Sequence, residues 1–162
     1  MVNEKLETVA HRWLDERGVT PEDIAELVYF LQEPYHDELT VHECEHHVRR
    51  VIQKREVQNA ILTGIALDRL AEDHKLEEPL LTSVLHDDSL YGVDEIIALS
   101  IVNIYGSIGF TNYGYIDKEK PGILKYLNDK EHKLCHTFLD DIVGAIAAAA
   151  SSRLAHSSRG EE

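Results

Sequence analysis

Hydrophobic side chains recur every three or four positions along most of the chain, and the alternation typical of strands is almost absent. The first such segment ends at Gly18 and carries its apolar side chains on one helical face: Leu6, Val9, Trp13 and Leu14. This is the pattern of an amphipathic helix packed on a core. We therefore predict an all-α protein whose helices surround one hydrophobic centre.

Capping sequences mark where the next two helices begin. Thr20-Pro21-Glu22-Asp23 and Thr40-Val41-His42-Glu43 each place a threonine three residues before an acid, which is the capping-box pattern. The second box predicts one long helix that runs from Thr40 toward Leu70. Further helices are predicted at about 79–85, 91–108, 120–127 and 137–150. The last is rich in alanine, which suits the centre of a bundle because small side chains let neighbouring helices approach closely.

The chain is predicted to form one domain. Its 162 residues, 43% of them hydrophobic, are enough to bury a core without disulfides. We expect a bundle of about six to eight helices over residues 1–156 and a disordered polar tail over residues 157–162. Cys44 and Cys135 lie in no paired spacing, and the first eighteen residues mix acids with bases. We therefore expect a cytoplasmic protein without a signal peptide.

Net charge restricts the partners. The formal charge of -14 repels the phosphates of nucleic acids and of anionic lipids, so we expect no nucleic-acid ligand. Peripheral contact with a membrane gains no support from composition. An anionic substrate stays open, because a bound divalent cation can invert the local field.

The stretch 96–116 contains no charged residue and is long enough to cross a bilayer. Five polar side chains interrupt it, and they would be costly in lipid: Ser100, Asn103, Ser107, Thr111 and Asn112. We interpret it as a buried helix followed by a glycine-rich loop, with Gly106, Gly109 and Gly114 in or beside that loop.

One histidine motif points to a metalloprotease. His42-Glu43-Cys44-Glu45-His46 has the H-E-x-x-H form that holds zinc on a helix. However, the capping box places His42 in the first turn, and Glu45 adds a charge where the pattern usually has none. We interpret this segment as a charged surface.

A second motif, His86-Asp87, resembles the metal-binding pair of the HD phosphohydrolases, which are also all-helical. Two residues are a short match. Asp87 and Asp88 can equally be the solvated acids of a turn.

Two acidic pairs open helices that are otherwise uncharged. Asp94-Glu95 and Asp140-Asp141 lie where the helix dipole and free N–H groups favour negative charge. First-turn acids are common for that reason alone. Both helices are nevertheless apolar enough to be central, and buried carboxylates are costly unless paired or bound to metal. If the pairs face each other, their oxygens suit Mg²⁺ or Mn²⁺.

Between these pairs lies Asp117-Lys118-Glu119-Lys120-Pro121, predicted to lie on the glycine-rich loop. It adds a third acid and two ammonium groups, which are suited to binding a phosphate.

Taken together, these three motifs resemble the phosphatidylglycerophosphatase A family, and especially its soluble relatives in Gram-positive bacteria. Members carry a D-E pair opening a helix, then D-x-x-K-P, then D-D opening a final helix of small residues. The corresponding segments here are Val93-Asp94-Glu95-Ile96, Asp117–Pro121 and Leu139-Asp140-Asp141-Ile142. Their order and spacing agree over residues 56–156, and the soluble relatives resemble nearly the whole chain, including residues 54–60.

The resemblance implies a Mg²⁺- or Mn²⁺-dependent phosphatase that converts phosphatidylglycerophosphate to phosphatidylglycerol and phosphate. It implies four metal ligands: Asp94, Glu95, Asp140 and Asp141. Asp117 would join them or position water, while Lys120 and Lys118 would bind the phosphate and stabilise its developing charge.

Alternatives stay open because the transmembrane helices of the membrane members are missing and their arginine before D-x-x-K-P is replaced by Gly114. The substrate could be a soluble phosphomonoester. The chain could instead be a non-catalytic metal or ligand sensor, or an assembly module whose acids only cap helices. Homo-oligomerisation is compatible with each.

Overall fold

A computed structural model describes residues 4–157, except for the side chain of His132. This part of the chain contains nine α-helices: α1 Leu6–Glu16, α2 Pro21–Gln32, α3 Val41–Ile52, α4 Arg55–Glu72, α5 Leu80–His86, α6 Val93–Val102, α7 Ser107–Glu119, α8 Ile123–Leu127 and α9 Leu139–Ser157. Short 3₁₀ turns occupy Glu33–Tyr35, Asn103–Tyr105 and Lys130–His132. The predicted all-α, single-domain bundle is confirmed. The predicted tail falls mostly on residues 158–162, which lie outside the described part, whereas Ser157 is the last residue of α9.

Helix α9 forms the centre of the bundle. Every residue from Leu139 to Ser152 is buried, and α2, α3, α4, α6, α7 and α8 all contact this helix. The alanines at 145 and 147–150 permit this, since short side chains allow several helices to approach one axis. The prediction that the alanine-rich helix is central is confirmed.

The segment from Thr40 to Leu70 forms two helices instead of the single predicted one. Helix α3 ends at Ile52, Lys54 is extended, and α4 restarts at Arg55. The Gln58 amide nitrogen donates a hydrogen bond to the carbonyl oxygen of Ile52 at 2.8 Å, so a buried side chain covers the break. The break lets α3 pack on α2 and α9 while α4 packs on α1 and α6.

The predicted glycine-rich loop is largely helical, because only one of its three glycines marks a turn and the other two lie within α7. Gly106, with φ of 83°, separates α6 from α7. A Cβ on Gly109 would lie 3.1 Å from Cγ1 of Val102 and 3.3 Å from Oγ of Ser152, so this glycine lets α7 pack against α6 and α9. Asp117 consequently lies in the last turn of α7 and not on a loop.

A buried polar network holds the start of α9 in place. Both carboxylate oxygens of Asp68, on α4, accept backbone N–H groups, from Phe138 and Leu139, at 3.0 Å each. These are donors that a helix N-terminus leaves without intrahelical partners. Nearby, the Arg17 guanidinium pairs with Glu72 and donates to the carbonyl oxygen of Cys135 at 2.7 Å. The position of the α9 acids is thus set from α4.

None of the helices within residues 4–157 is both long and apolar enough to cross a membrane. The uncharged stretch 96–116 is divided between α6 and α7, because the backbone turns at Gly106.

Candidate active site

The first turn of α9 supplies two buried carboxylates. Asp140 and Asp141 are each only 7% exposed, because α9 is surrounded by other helices. One Asp140 oxygen accepts the backbone N–H of Asp141 at 2.8 Å. Its other oxygen lies 3.8 Å from Nζ of Lys120. The turn therefore presents two acids that share a single nearby ammonium group.

Helix α6 adds a third buried acid. Asp94 is 8% exposed, lies in the first turn of α6, and acts to raise the pKa of Asp141. The two acids therefore lie close to each other across the α6–α9 interface. The predicted convergence of the α6 and α9 acids is thus present for Asp94 and Asp141.

The end of α7 supplies the cation. Lys120 follows α7 in a left-handed conformation, with φ of 47°, and its Nζ lies 3.2 Å from Oδ1 of Asp117. The ammonium group therefore bridges Asp117 and Asp140. Asp117 and Lys120 are about 40% exposed, so the cluster is open to solvent on this side.

Asp87 is a cluster residue that the sequence interpretation did not include among the site residues. It lies in the left-handed C-terminal position of α5, and burial together with the charge of Asp94 raises its pKa, while Lys120 and Lys130 lower it. The His86-Asp87 motif was the available signal. Nothing local places residue 87 beside residue 94, and the alternative interpretation as an acid of a turn agrees with the exposed position of Asp87.

The electrostatics of the cluster favour protonated acids. Burial raises the pKa of Asp140 to about 7, with Lys120 opposing the shift and Asp87 adding to it. Burial raises the pKa of Asp141 to about 10, and the charges of Asp140 and Asp94 add to that shift. These carboxyl groups therefore have little positive charge near them, and a bound cation would supply it.

Two predicted residues, Glu95 and Lys118, are exposed. Glu95 is still close enough to the cluster for its charge to help raise the pKa of Tyr113. Within residues 4–157 no three aspartate, glutamate, histidine or cysteine side chains are placed as the ligands of one metal ion. The structure brings together Asp94, Asp117, Lys120, Asp140 and Asp141, and their chemical roles stay predictions.

The family is decided by comparison with known proteins. Residues 13–156 match the family model described as phosphatidylglycerophosphatase A. The chain belongs to this family. The resemblance drawn from the three motifs is confirmed, and membership in the phosphatidylglycerophosphatase A family implies a phosphatase that acts on a phospholipid phosphate.

Several relatives share both sequence and fold. The uncharacterised protein YutG of Bacillus subtilis (strain 168) is 69% identical over 158 residues, which cover 98% of this chain and 95% of that protein. A protein of unknown function from Bacillus stearothermophilus has a solved structure with a TM-score of 0.94 at 71% identity, covering 97% of this chain and 98% of that one. The low temperature requirement C protein from Listeria monocytogenes gives a TM-score of 0.94 at 63% identity, covering 96% and 98%.

A cavity of about 350 Å³ adjoins the cluster of this phosphatidylglycerophosphatase A relative. Asp87 and Asp140 line it on the side of the cluster, and Lys130, Cys135 and His136 are among the residues lining the remainder.

The metalloprotease motif has a structural explanation. His42 and His46 are exposed on α3, and the Glu43 carboxylate accepts the backbone N–H of Thr40 at 3.2 Å in the capping box. Glu43 therefore caps the helix. The adjoining segment is less solvated than its charges suggested, since His47 and Val48 are buried.

Proposed function

We propose that this protein hydrolyses the phosphomonoester of phosphatidylglycerophosphate, releasing phosphate and phosphatidylglycerol. The observation that carries the proposal is the bridge from Lys120 to Asp117 and Asp140, set beside the buried pair Asp94 and Asp141. An ammonium group among acids at a solvent-open edge can bind a phosphoryl oxygen while the acids handle protons and a cation.

The cluster fits a hard divalent cation by the chemistry of its donors. Asp94, Asp140 and Asp141 offer only carboxylate oxygens, which Mg²⁺ and Mn²⁺ prefer, and these groups have little compensating charge. These three residues would hold the cation after their side chains turned toward it, since the structure does not place them as ligands of one ion, whereas Glu95 lies at the exposed edge. The ion would supply positive charge to the phosphoryl oxygens and favour ionisation of water.

Lys120 and Asp117 have distinct proposed roles. Lys120 binds a phosphoryl oxygen and stabilises the charge that develops on it. Asp117 orients Lys120 through the 3.2 Å contact and accepts a proton from the attacking water. The water oxygen bonds to phosphorus as the ester P–O bond breaks. The departing glycerol oxygen takes up a proton from solvent, and Asp117 releases to solvent the proton that it accepted.

Exposed apolar side chains beside Asp94 support a lipid substrate over a soluble one. Leu90 is fully exposed, and Val93 and Ile96 are exposed on the first turn of α6. Large apolar side chains gathered at the edge of a polar site are suited to contact with acyl chains. The adjoining cavity would hold the glycerol that links the substrate's two phosphate groups.

The test is phosphate release with Mg²⁺ or Mn²⁺ from phosphatidylglycerophosphate in detergent micelles, alongside a panel of soluble phosphomonoesters. Lys120→Ala should lower kcat/KM by roughly 10²- to 10³-fold, the usual effect of removing one donor to a developing charge. Lys118→Ala is the matched control, since Lys118 lies two residues away and is exposed. Equal activity of the Lys120→Ala variant and wild type would exclude the proposed role of Lys120.

The same preparations separate the alternatives. Faster phosphate release from soluble esters than from phosphatidylglycerophosphate would indicate that the substrate is a soluble phosphomonoester. A melting temperature raised by Mg²⁺ without any turnover would indicate a sensor. Neither metal response nor turnover would indicate an assembly module.

A further inference from the structure

Tyr113 lies on α7, one helical turn before Asp117, and so on the same face of the helix. Its side chain is buried, with only 8% of the residue exposed. The ring packs over Gly144 of α9, where a Cβ would lie 3.7 Å from its Cε2 atom. The ring therefore lies at van der Waals distance from the central helix, one turn after the two acids that open it.

The Tyr113 hydroxyl group is buried and makes no hydrogen bond to any residue that the structure describes. Buried hydroxyl groups are costly to leave without a partner, and those that persist need an explanation. Packing does not explain the hydroxyl group, because a phenylalanine at this position would fill the same space without a polar atom.

The surroundings of this hydroxyl group are acidic. Burial raises the pKa of Tyr113, and the charges of Asp141, Asp117 and Asp140 raise it further. The hydroxyl group therefore keeps its proton and remains a donor. The same three carboxylates act on Lys120, so the ammonium group and the phenol are two donors directed at one cluster.

We propose that the Tyr113 hydroxyl group donates a hydrogen bond to an oxygen of a phosphate group bound beside Lys120. The ligand assignment rests on the proposed function, whereas the buried donor among the carboxylates is independent of it. Tyr113 would thus bind the phosphate oxyanion through this hydrogen bond and orient it from the α7 side, while a cation binds at the carboxylates.

Tyr105 provides a matched control within the same chain. Its hydroxyl group is also buried and has no hydrogen-bond partner among residues 4–157. Its neighbours are basic, however: Lys54 Nζ lies 5.6 Å from the ring centroid, and Arg153 and Arg50 act on its pKa. The two tyrosines therefore share an unpaired hydroxyl group and differ in whether it lies at the acidic cluster.

The experiment measures the binding of inorganic phosphate in the presence of Mg²⁺ by wild type, Tyr113→Phe and Tyr105→Phe, together with their melting temperatures. We expect Tyr113→Phe to bind phosphate roughly 5- to 30-fold more weakly, as loss of one buried hydrogen bond would cause. Its melting temperature should be equal to or higher than that of wild type, since the lost hydroxyl group had no partner. Tyr105→Phe should bind phosphate as wild type does.

The outcomes distinguish this inference from the proposed function. Equal phosphate binding by Tyr113→Phe and wild type would overturn the inference and leave the function intact. A lowered melting temperature with unchanged binding would likewise overturn it in favour of a structural hydrogen bond. Weaker binding by Tyr113→Phe in a protein that releases no phosphate from any ester would support the inference and overturn the function. Failure of wild type to bind phosphate would overturn both.

Discussion

Buried aspartates near the start of α9 differ in their partners: Asp68 belongs to the structure of the helix end, and Asp140 and Asp141 belong to the acidic cluster. Asp68 is fully buried, and each of its carboxylate oxygens accepts a backbone N–H from α9. Asp140 and Asp141 are almost as buried, yet Asp141 meets mainly other carboxyl groups. Burial alone therefore does not distinguish a structural acid from a functional one, whereas the partners of the acid do.

The pKa shifts express the same difference. Burial raises the pKa of Asp68 to about 8, while its two N–H donors and Arg17 act to lower it. Burial raises the pKa of Asp141 to about 10, and its carboxyl neighbours act in the same direction as burial. The contrast is sharpest for Asp141, because Asp140, with a pKa of about 7, has Lys120 and the N–H of Asp141 to oppose the effect of burial.

The largest expected effect is on activity. Asp140→Asn should lower phosphate release by at least roughly 10²-fold while the protein stays folded, because the carboxylate beside Lys120 is lost. The measurement is kcat/KM with Mg²⁺, together with circular dichroism. Asp88→Asn, an exposed acid in the turn after α5, is the control and should keep its activity. Full activity of Asp140→Asn would show that the Asp140 carboxylate is not needed for the reaction.

Next in size is an effect on stability. Asp68→Asn should lower the free energy of unfolding by about 1–3 kcal/mol, because an amide cannot accept both N–H groups of α9. The melting temperature should fall by roughly 3–10 °C for a chain of this size. An exposed counterpart, Asp73→Asn just after α4, should leave it unchanged. A melting temperature unaffected by Asp68→Asn would show that this cap is not needed.

The third effect depends on pH and is a gain in stability, opposite in sign to the loss expected for Asp68→Asn. Folding raises the pKa of Asp141 from its ordinary value of 3.8 to about 10, so folding favours the protonated acid. The stability that this group contributes is complete below pH 4 and is lost as pH rises toward 10. Asp141→Asn does not ionise, so without metal it should be more stable than wild type.

That gain should grow as pH increases from about 5 to 9, by no more than about 1.4 kcal/mol per pH unit. Urea denaturation at several pH values would measure it. Asp68→Asn, measured in parallel, should be destabilised at pH 5. If Asp141→Asn instead lost stability, Asp141 would be structural like Asp68, and the contrast between the two sets of acids would fail.

Local features were predictable because their causes lie within a few residues. The capping boxes predicted at Thr20 and Thr40 are both present, since a threonine and an acid three residues later need only each other. The acids opening α6 and α9 and the final alanine-rich helix also follow from local composition. The break at Lys54 and the helical course of α7 did not, because both depend on packing against other helices.

The amino-acid sequence by itself determined an all-α chain, the family, and the set of acids and lysines from which a site could be drawn. The tertiary structure decided which of them meet. Asp94 and Glu95 are neighbours on one helix and point about 100° apart, and packing buries Asp94 while Glu95 stays exposed. Asp87 and Tyr113 join the cluster through contacts between distant segments. Hydrogen-bond satisfaction depends on such contacts, and local patterns do not contain them.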